Sequence, residues 1–225
     1  MPGGPAMTRK AEDRDSQSLV FEATMIIPRY TTEDLKQLPL RAIVAFAARC
    51  ARRVEPLGQL AAGHPQRESR RVAIDNAIRL AEEIARGSSC RTVEPVIQAL
   101  DSTQAISGDG VACECAAAAA AAAVRTAASV WLVLNRGESE QVTKRWANTL
   151  EARSYLSHLA SLTAELVAMD AFTAAVEAAN AAGLDDSFFA GAVQDYERLL
   201  GLHLGTYPQA GDPVDPAPSG PLGPL

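Results

Sequence analysis

The chain has 225 residues and a mass of 23.7 kDa, enough for one ordinary domain or two small ones, and above the size at which a core needs disulfides or a metal. Hydrophobic residues make up 48% of it, yet 43 of them are alanine and aromatics reach only 5%, a composition that suits helices packed at close approach and disfavours sheet. Charged residues at 21%, a net charge of -6 and a mean hydropathy of -0.02 place it with soluble globular proteins rather than disordered or membrane ones.

Residues 1–18 mix Pro2, Gly3, Gly4 and Pro5 with a charged run from Arg9 to Asp15, which predicts a flexible leader without the apolar stretch of an export signal. Leu19 to Ile27 is β-rich but short and stops at Pro28, so it reads as an extended arm or one short strand laid on helices. Thr31 or Thr32 can cap a short turn through Leu38, and Pro39 in a first turn then opens a strong helix ending near Val54 or Leu57. Pro56, Gly58 and Gly63-His64-Pro65 interrupt the chain before a helix from Gln66 to Arg86, which Gly87 stops. Thr92 with Pro95 starts another helix to about Ile106, and Ser107 to Gly110 is a loop. Val111 to Arg136 is an alanine-rich helix closed by Gly137. From Glu138 to Ala182 the pattern stays helical for longer than an ordinary helix, which predicts a break between Ser154 and Leu162. Asp185 or Asp186 starts a last helix to Leu202, and the prolines beyond Gly205 describe an extended tail over residues 206–225. The expectation is an all-α protein: a single bundle of six or seven helices over residues 19–205, with an extended N-terminal arm and a Pro/Gly-rich C-terminal tail.

Val111 to Leu134 is long enough to cross a bilayer. Arg125 at its middle would cost about 2.5–3.5 kcal/mol there, and the alanines from Ala116 to Ala123 supply little apolar drive, so the segment reads as a buried helix and the protein as cytoplasmic, with no membrane partner. By the same placement Arg125 either emerges at an edge or, if buried, forms a candidate ionic site whose carboxylate partner must come from another helix, because Glu114 is too far along its own. Cys50, Cys90, Cys113 and Cys115 read as free thiols in a chain without a secretion signal.

The helical faces point to where a partner would bind. At about 100° per residue, Leu40, Ile43, Val44, Ala47, Cys50, Ala51, Val54 and Leu57 gather on one face, with Arg41, Arg49, Arg52 and Arg53 on another. The following helix repeats the arrangement, with Arg67, Arg70, Arg71, Arg79 and Arg86 mostly away from its apolar side. Residues 41–91 hold ten arginines against five acids, whereas residues 92–225 hold six bases against sixteen acids. Such segregation implies either an anion-binding patch or a basic half docked on an acidic half of the same molecule.

Motifs for chemistry are missing from the sequence. Cys113 and Cys115 sit two apart, about 200° around a helix, and cannot share one tetrahedral metal. His64, His158 and His203 fit no metal or di-iron spacing, and no nucleotide loop or nucleophile elbow is found. The arginine stripe lacks the aromatic interleaving of a nucleic-acid binder in a chain that is acidic overall. No enzyme activity, metal or cofactor is therefore expected.

The stretch Cys50-Ala-Arg-Arg-Val-Glu-Pro-Leu57, the helix Arg71-Val-Ala-Ile-Asp-Asn-Ala-Ile78 with Ala81, Ala85 and Gly87, and the alanine-dominated Ala112 to Ala128 together resemble the fifth family of polymorphic-toxin immunity proteins. The resemblance covers about residues 40–130. It implies an all-helical protein that neutralises a toxin domain by binding it, with Arg52, Arg53 and Arg71 as matching charged positions. Arg41, Arg49, Arg52, Arg53 and Arg71 are accordingly the candidate interface to an acidic protein partner, with a homo-oligomer left open. Two competing expectations are a helical enzyme or ligand-binding bundle holding a small anion near Arg125, and a scaffolding subunit that docks through its tail.

Overall fold

The computed structural model describes residues 30–88, 98–99, 110–135 and 163–225, and six α-helices with no strand occur among them. The leader, the arm at Leu19 to Ile27, Cys90, most of the helix expected at 92–106 and the break expected at 154–162 lie outside the described residues; Gln98 and Ala99 are helical.

Helix α1 spans Thr32–Leu35, and its start is set by Thr31, whose hydroxyl accepts from the Asp34 amide while the Asp34 carboxylate accepts from the Thr31 N–H. Helix α2 spans Leu40–Val54 with Pro39 as N-cap, one position before the expected first turn, and continues as a single 3-10 turn over Glu55–Gly58. Helix α3 spans Arg67–Ala85. It ends in a Schellman motif, in which the Gly87 N–H donates to Ile84 O and the Ser88 N–H to Glu83 O. Gly87 sits at φ +79, and a Cβ there would stand 3.0 Å from Pro213, so this one glycine permits both the helix stop and the approach of the C-terminal segment. Helices α4 (Val111–Leu134), α5 (Ala164–Ala181) and α6 (Asp185–Gly201) complete the set, each close to its expected bounds.

Helix α4 packs against α5, α2 and α3, while α2 packs against α4, α5, α3 and α6, so these two form the centre of the bundle. Long and apolar enough to cross a membrane, α4 is mostly buried among its neighbours. Its alanines make the close approach: Ala116, Ala119, Ala120 and Ala123 are fully enclosed. Replacing Ala120 with leucine is expected to overpack this contact and lower stability by about 1–3 kcal/mol, whereas the same change at exposed Ala118 should be nearly silent. Paired urea denaturation curves check the contrast. Six of the described aromatics gather at one place, where Tyr30, Phe46, Phe172, Phe188, Phe189 and Tyr196 form pairs with ring centroids 4.9–6.2 Å apart between α2, α5 and α6.

Residues 206–225 have neither helix nor strand, as their prolines require, but they are bound to the bundle as a strap. Gln209 O and Ala210 O accept from the Leu40 and Arg41 amides at 2.9 and 3.0 Å, which caps two donors that the start of α2 otherwise leaves without partners. The Val214 N–H donates to Ala85 O at the end of α3, and the side chains of Val214 and Leu222 belong to the core. Tyr207 donates to the buried carboxylate of Glu165 on α5.

Candidate functional site

Arg41, Arg49 and Arg53 follow one another along α2 at intervals of eight and four residues, which places them on one stripe. The sequence leaves this stripe either to a partner or to docking on the acidic half of the same molecule. The structure corrects the interface reading for Arg49, which is 1% exposed. Its guanidinium grips Asp195 of α6 in a bidentate pair, Nη2 to Oδ1 at 2.6 Å and Nε to Oδ2 at 3.0 Å. Its remaining donors reach strap carbonyls, with Gly223 O at 2.8 Å, Pro224 O at 3.0 Å and Pro216 O at 3.2 Å.

Arg53 shares the same carboxylate, Nη2 to Oδ2 at 2.7 Å, and also donates to Gly191 O. A Cβ at residue 191 would fall on the Arg53 guanidinium, so the missing side chain of Gly191 lets Arg53 lie flat on α6. Arg41 donates to Gly211 O of the strap, and its Nε is buried with no acceptor. Arg198 of α6 donates to Leu222 O. Asp195 is thus one carboxylate between two guanidiniums, and neutral main-chain oxygens solvate the excess charge.

Arg52 turns the other way, toward α3, and is held by Glu55 of the 3-10 turn and by Asp75 and Glu82 of α3, at 2.7, 2.8 and 3.1 Å. Burial opposes its charge, but the hydrogen bonds to Asp75 and Glu55 outweigh that and hold the guanidinium above its ordinary range. Arg86 reaches Asp215 of the strap at 2.7 Å. Burial works against the Asp215 charge, yet the Ala217 amide and Arg86 keep its carboxyl below the usual range. Arg41, Arg49, Arg52 and Arg53 are therefore held by groups of this chain. Part of that holding joins the basic segment to the acidic one, through Asp195 and Asp215, while the acids around Arg52 come from within the basic segment.

Arg71 is different. It lies 47% exposed on the outer side of α3, paired with Glu68 at 2.6 Å. Arg79, 60% exposed, stands two turns further along, 3.4 Å from Glu83. Arg67 and Val72 are exposed on the same helix. Below this face is a groove of about 310 Å³ lined by Asn76, Arg79, Leu80 and Glu83.

Arg125 is half-buried, with Nε enclosed and without a hydrogen-bond partner, and among the described residues no carboxylate stands within ion-pair distance of it. The buried ionic centre is formed instead by Arg49, Asp195 and Arg53. Arg70 of α3 is a second enclosed guanidinium, 1% exposed, with Nη2 donating to Cys113 O while Nε and Nη1 find no acceptor. Both positions carry a signal in the sequence. Asp195 falls in register with Phe188, Ala192 and Leu199, and Arg70 with Ala73, Ile74, Ala77 and Ile78, so each polar residue stands on the inward stripe of its own helix.

Burial, and then the Asp195 charge, push the Cys50 thiol well above its ordinary range, which leaves it a packed, protonated side chain. Cys113 is buried and donates to Gly58 O, while Cys115 is partly exposed, near Glu177. No group of three His, Cys, Asp or Glu is placed to hold a metal among the described residues.

No protein-family model, no curated protein and no solved structure matches this chain.

Proposed function

We propose that the chain is a cytoplasmic, non-enzymatic binding protein of immunity-protein type that engages an acidic protein partner with the outer face of α3. One observation supports the choice of face: Arg71 and Arg79 are half-exposed or more, whereas Arg49, Arg52 and Arg53 are held inside. Exposed ion pairs such as Arg71 with Glu68 and Arg79 with Glu83 are worth about 0–1 kcal/mol each, so a partner's carboxylates can replace the local ones at little cost. Val72, 41% exposed beside Arg71, supplies apolar area within the charged rim. Neutralising a toxin domain is the specific form of binding that the sequence resemblance favours.

The competing reading, a bundle for a small anionic ligand, draws on a second groove of about 320 Å³ walled by Arg52, Arg53, Leu57, Leu184 and Phe188. Both arginines there are already bonded to carboxylates, which weakens their attraction for an anion.

Arg71→Glu combined with Arg79→Glu is expected to keep the helical circular dichroism of the wild type and to cost about 1–2 kcal/mol, because two exposed pairs are lost and like charges replace them at helical spacing. Affinity capture from host lysate should then lose a partner that wild type holds at low salt and releases at high salt. Capture that the double variant leaves unchanged would show that α3 is not the interface.

A further inference from the structure

We propose that the α2 arginine stripe beneath the C-terminal strap is a binding site for an extended acidic peptide, and that residues 206–225 occupy it in cis. This site is separate from the outer face of α3 and does not rest on it.

The charge balance of the seat carries the inference. Arg41, Arg49 and Arg198 donate to strap carbonyls, Arg53 lies beside them against α6, and among the described residues the one carboxylate bonded to these four is Asp195. The strap answers Arg41 and Arg198, which bond no carboxylate among those residues, with the main-chain oxygens of Gly211 and Leu222, and it answers the remaining donors of Arg49 with those of Pro216, Gly223 and Pro224. A carbonyl is the weaker acceptor: hydrogen bonds from arginine to carboxylate are roughly twice as strong as neutral ones and are often bidentate. The cis occupant is also imperfect, because it leaves Arg41 Nε enclosed without an acceptor.

Spacing fixes the form of the ligand. Four residues along a helix advance about 6 Å, and two residues along an extended chain advance about 6.6 Å, so a peptide lying along α2 with acids at alternate positions matches the register of Arg49 and Arg53 and, two steps on, Arg41. The strap covers both ends of this path, Arg41 through Gly211 O and Arg49 through Gly223 O and Pro224 O. Between them it detours to the end of α3, where the Val214 N–H meets Ala85 O, and turns at Ala217–Gly220 and Gly220–Gly223, so an extended ligand would lie straighter than the cis occupant. Val214 and Leu222 fill apolar seats along it, which an acidic peptide with intervening aliphatic residues would also fill. In the connector from α6, Leu202, His203 and Gly205 are exposed, with His203 and Gly205 at positive φ, while Leu204 packs on the core and its O accepts from the Asp212 N–H, so the strap beyond residue 212 can lift with the helix still wound.

The test uses the full-length chain and a fluorescein-labelled peptide of alternating Glu and Leu, with a Lys–Leu peptide as charge control. Leu222→Ser loosens the strap, and its anisotropy titration is expected to show the Glu–Leu probe bound about tenfold tighter than by wild type, a gain lost at high salt and lost again when Arg198→Glu is added. Equal affinity for wild type and Leu222→Ser, or equal binding of the Lys–Leu peptide, overturns the proposal. Dimers of Leu222→Ser by light scattering, with no probe bound, would assign the seat to a second copy's strap instead. If circular dichroism shows that Leu222→Ser does not fold, wild type decides: saturating Glu–Leu peptide must speed hydrogen exchange at the Val214 amide, and unchanged exchange overturns the proposal.

Discussion

Asp195→Ala is expected to destabilise the protein by about 3–5 kcal/mol, because it removes the one carboxylate between two enclosed guanidiniums and leaves both charges without a counter-ion. Truncating the partner of a buried ion costs more than the pair contributes, since the orphaned charge keeps its desolvation penalty. Arg53→Met supplies the contrast: it leaves a neutral Arg49–Asp195 pair, still bidentate at 2.6 and 3.0 Å, and should cost distinctly less than Asp195→Ala. Urea denaturation of the two variants beside wild type measures the difference in midpoint at constant slope. A loss below about 1 kcal/mol for Asp195→Ala would mean that main-chain oxygens alone, those of the strap for Arg49 and of Gly191 for Arg53, suffice to hold the two guanidiniums, and that the ion pair does not organise the centre.

Leu222→Ala should cost about 2–5 kcal/mol, the range for removing a fully buried leucine side chain. The reasoning is one of cooperativity. Leu222 is 0% exposed and packs in the same cluster as the α2 and α6 side chains, while the backbone around it supplies Arg49 with acceptors at Gly223 and Pro224. A cavity at Leu222 therefore loosens apolar contacts and the solvation of a buried charge together. The main unfolding midpoint is expected to move to lower denaturant. A main midpoint left unmoved would mean that the strap adds nothing to the stability of the bundle.

The helices were legible because their signals are local. Thr31 with Asp34 forms a reciprocal cap, Gly87 stops α3, and the alanine run fills α4, so each boundary follows from a few neighbouring residues. The fate of the arginines was not legible in the same way. Helical period says which face Arg49 occupies, but what covers that face depends on Asp195, 146 positions away, and on carbonyls of a segment with no periodicity at all. Main-chain oxygens leave no mark in a sequence, so a proline-rich tail that solvates a guanidinium reads the same as one extended in water. Arg125 was left open by the sequence, which allows it either to emerge at an edge or to pair with a carboxylate of another helix; it lies half-buried, with no such pair among the described residues. The buried pair could have been found by asking which polar residues break the inward stripes of the other helices, as Asp195 breaks the one running from Phe188 to Leu199.

Docking of the strap on α2 is tested most directly by hydrogen exchange at the Leu40 and Arg41 amides. As the first two residues of α2 they have no acceptor within the helix, and their bonds to Gln209 O and Ala210 O at 2.9 and 3.0 Å are what can protect them. Slow exchange at both, comparable with the interior amides of α2, is the predicted result. Exchange at the rate of an unprotected chain, with the interior of α2 still protected, would contradict it: the arginine stripe would then lie open, and Arg49 would face solvent rather than Asp195 and the strap.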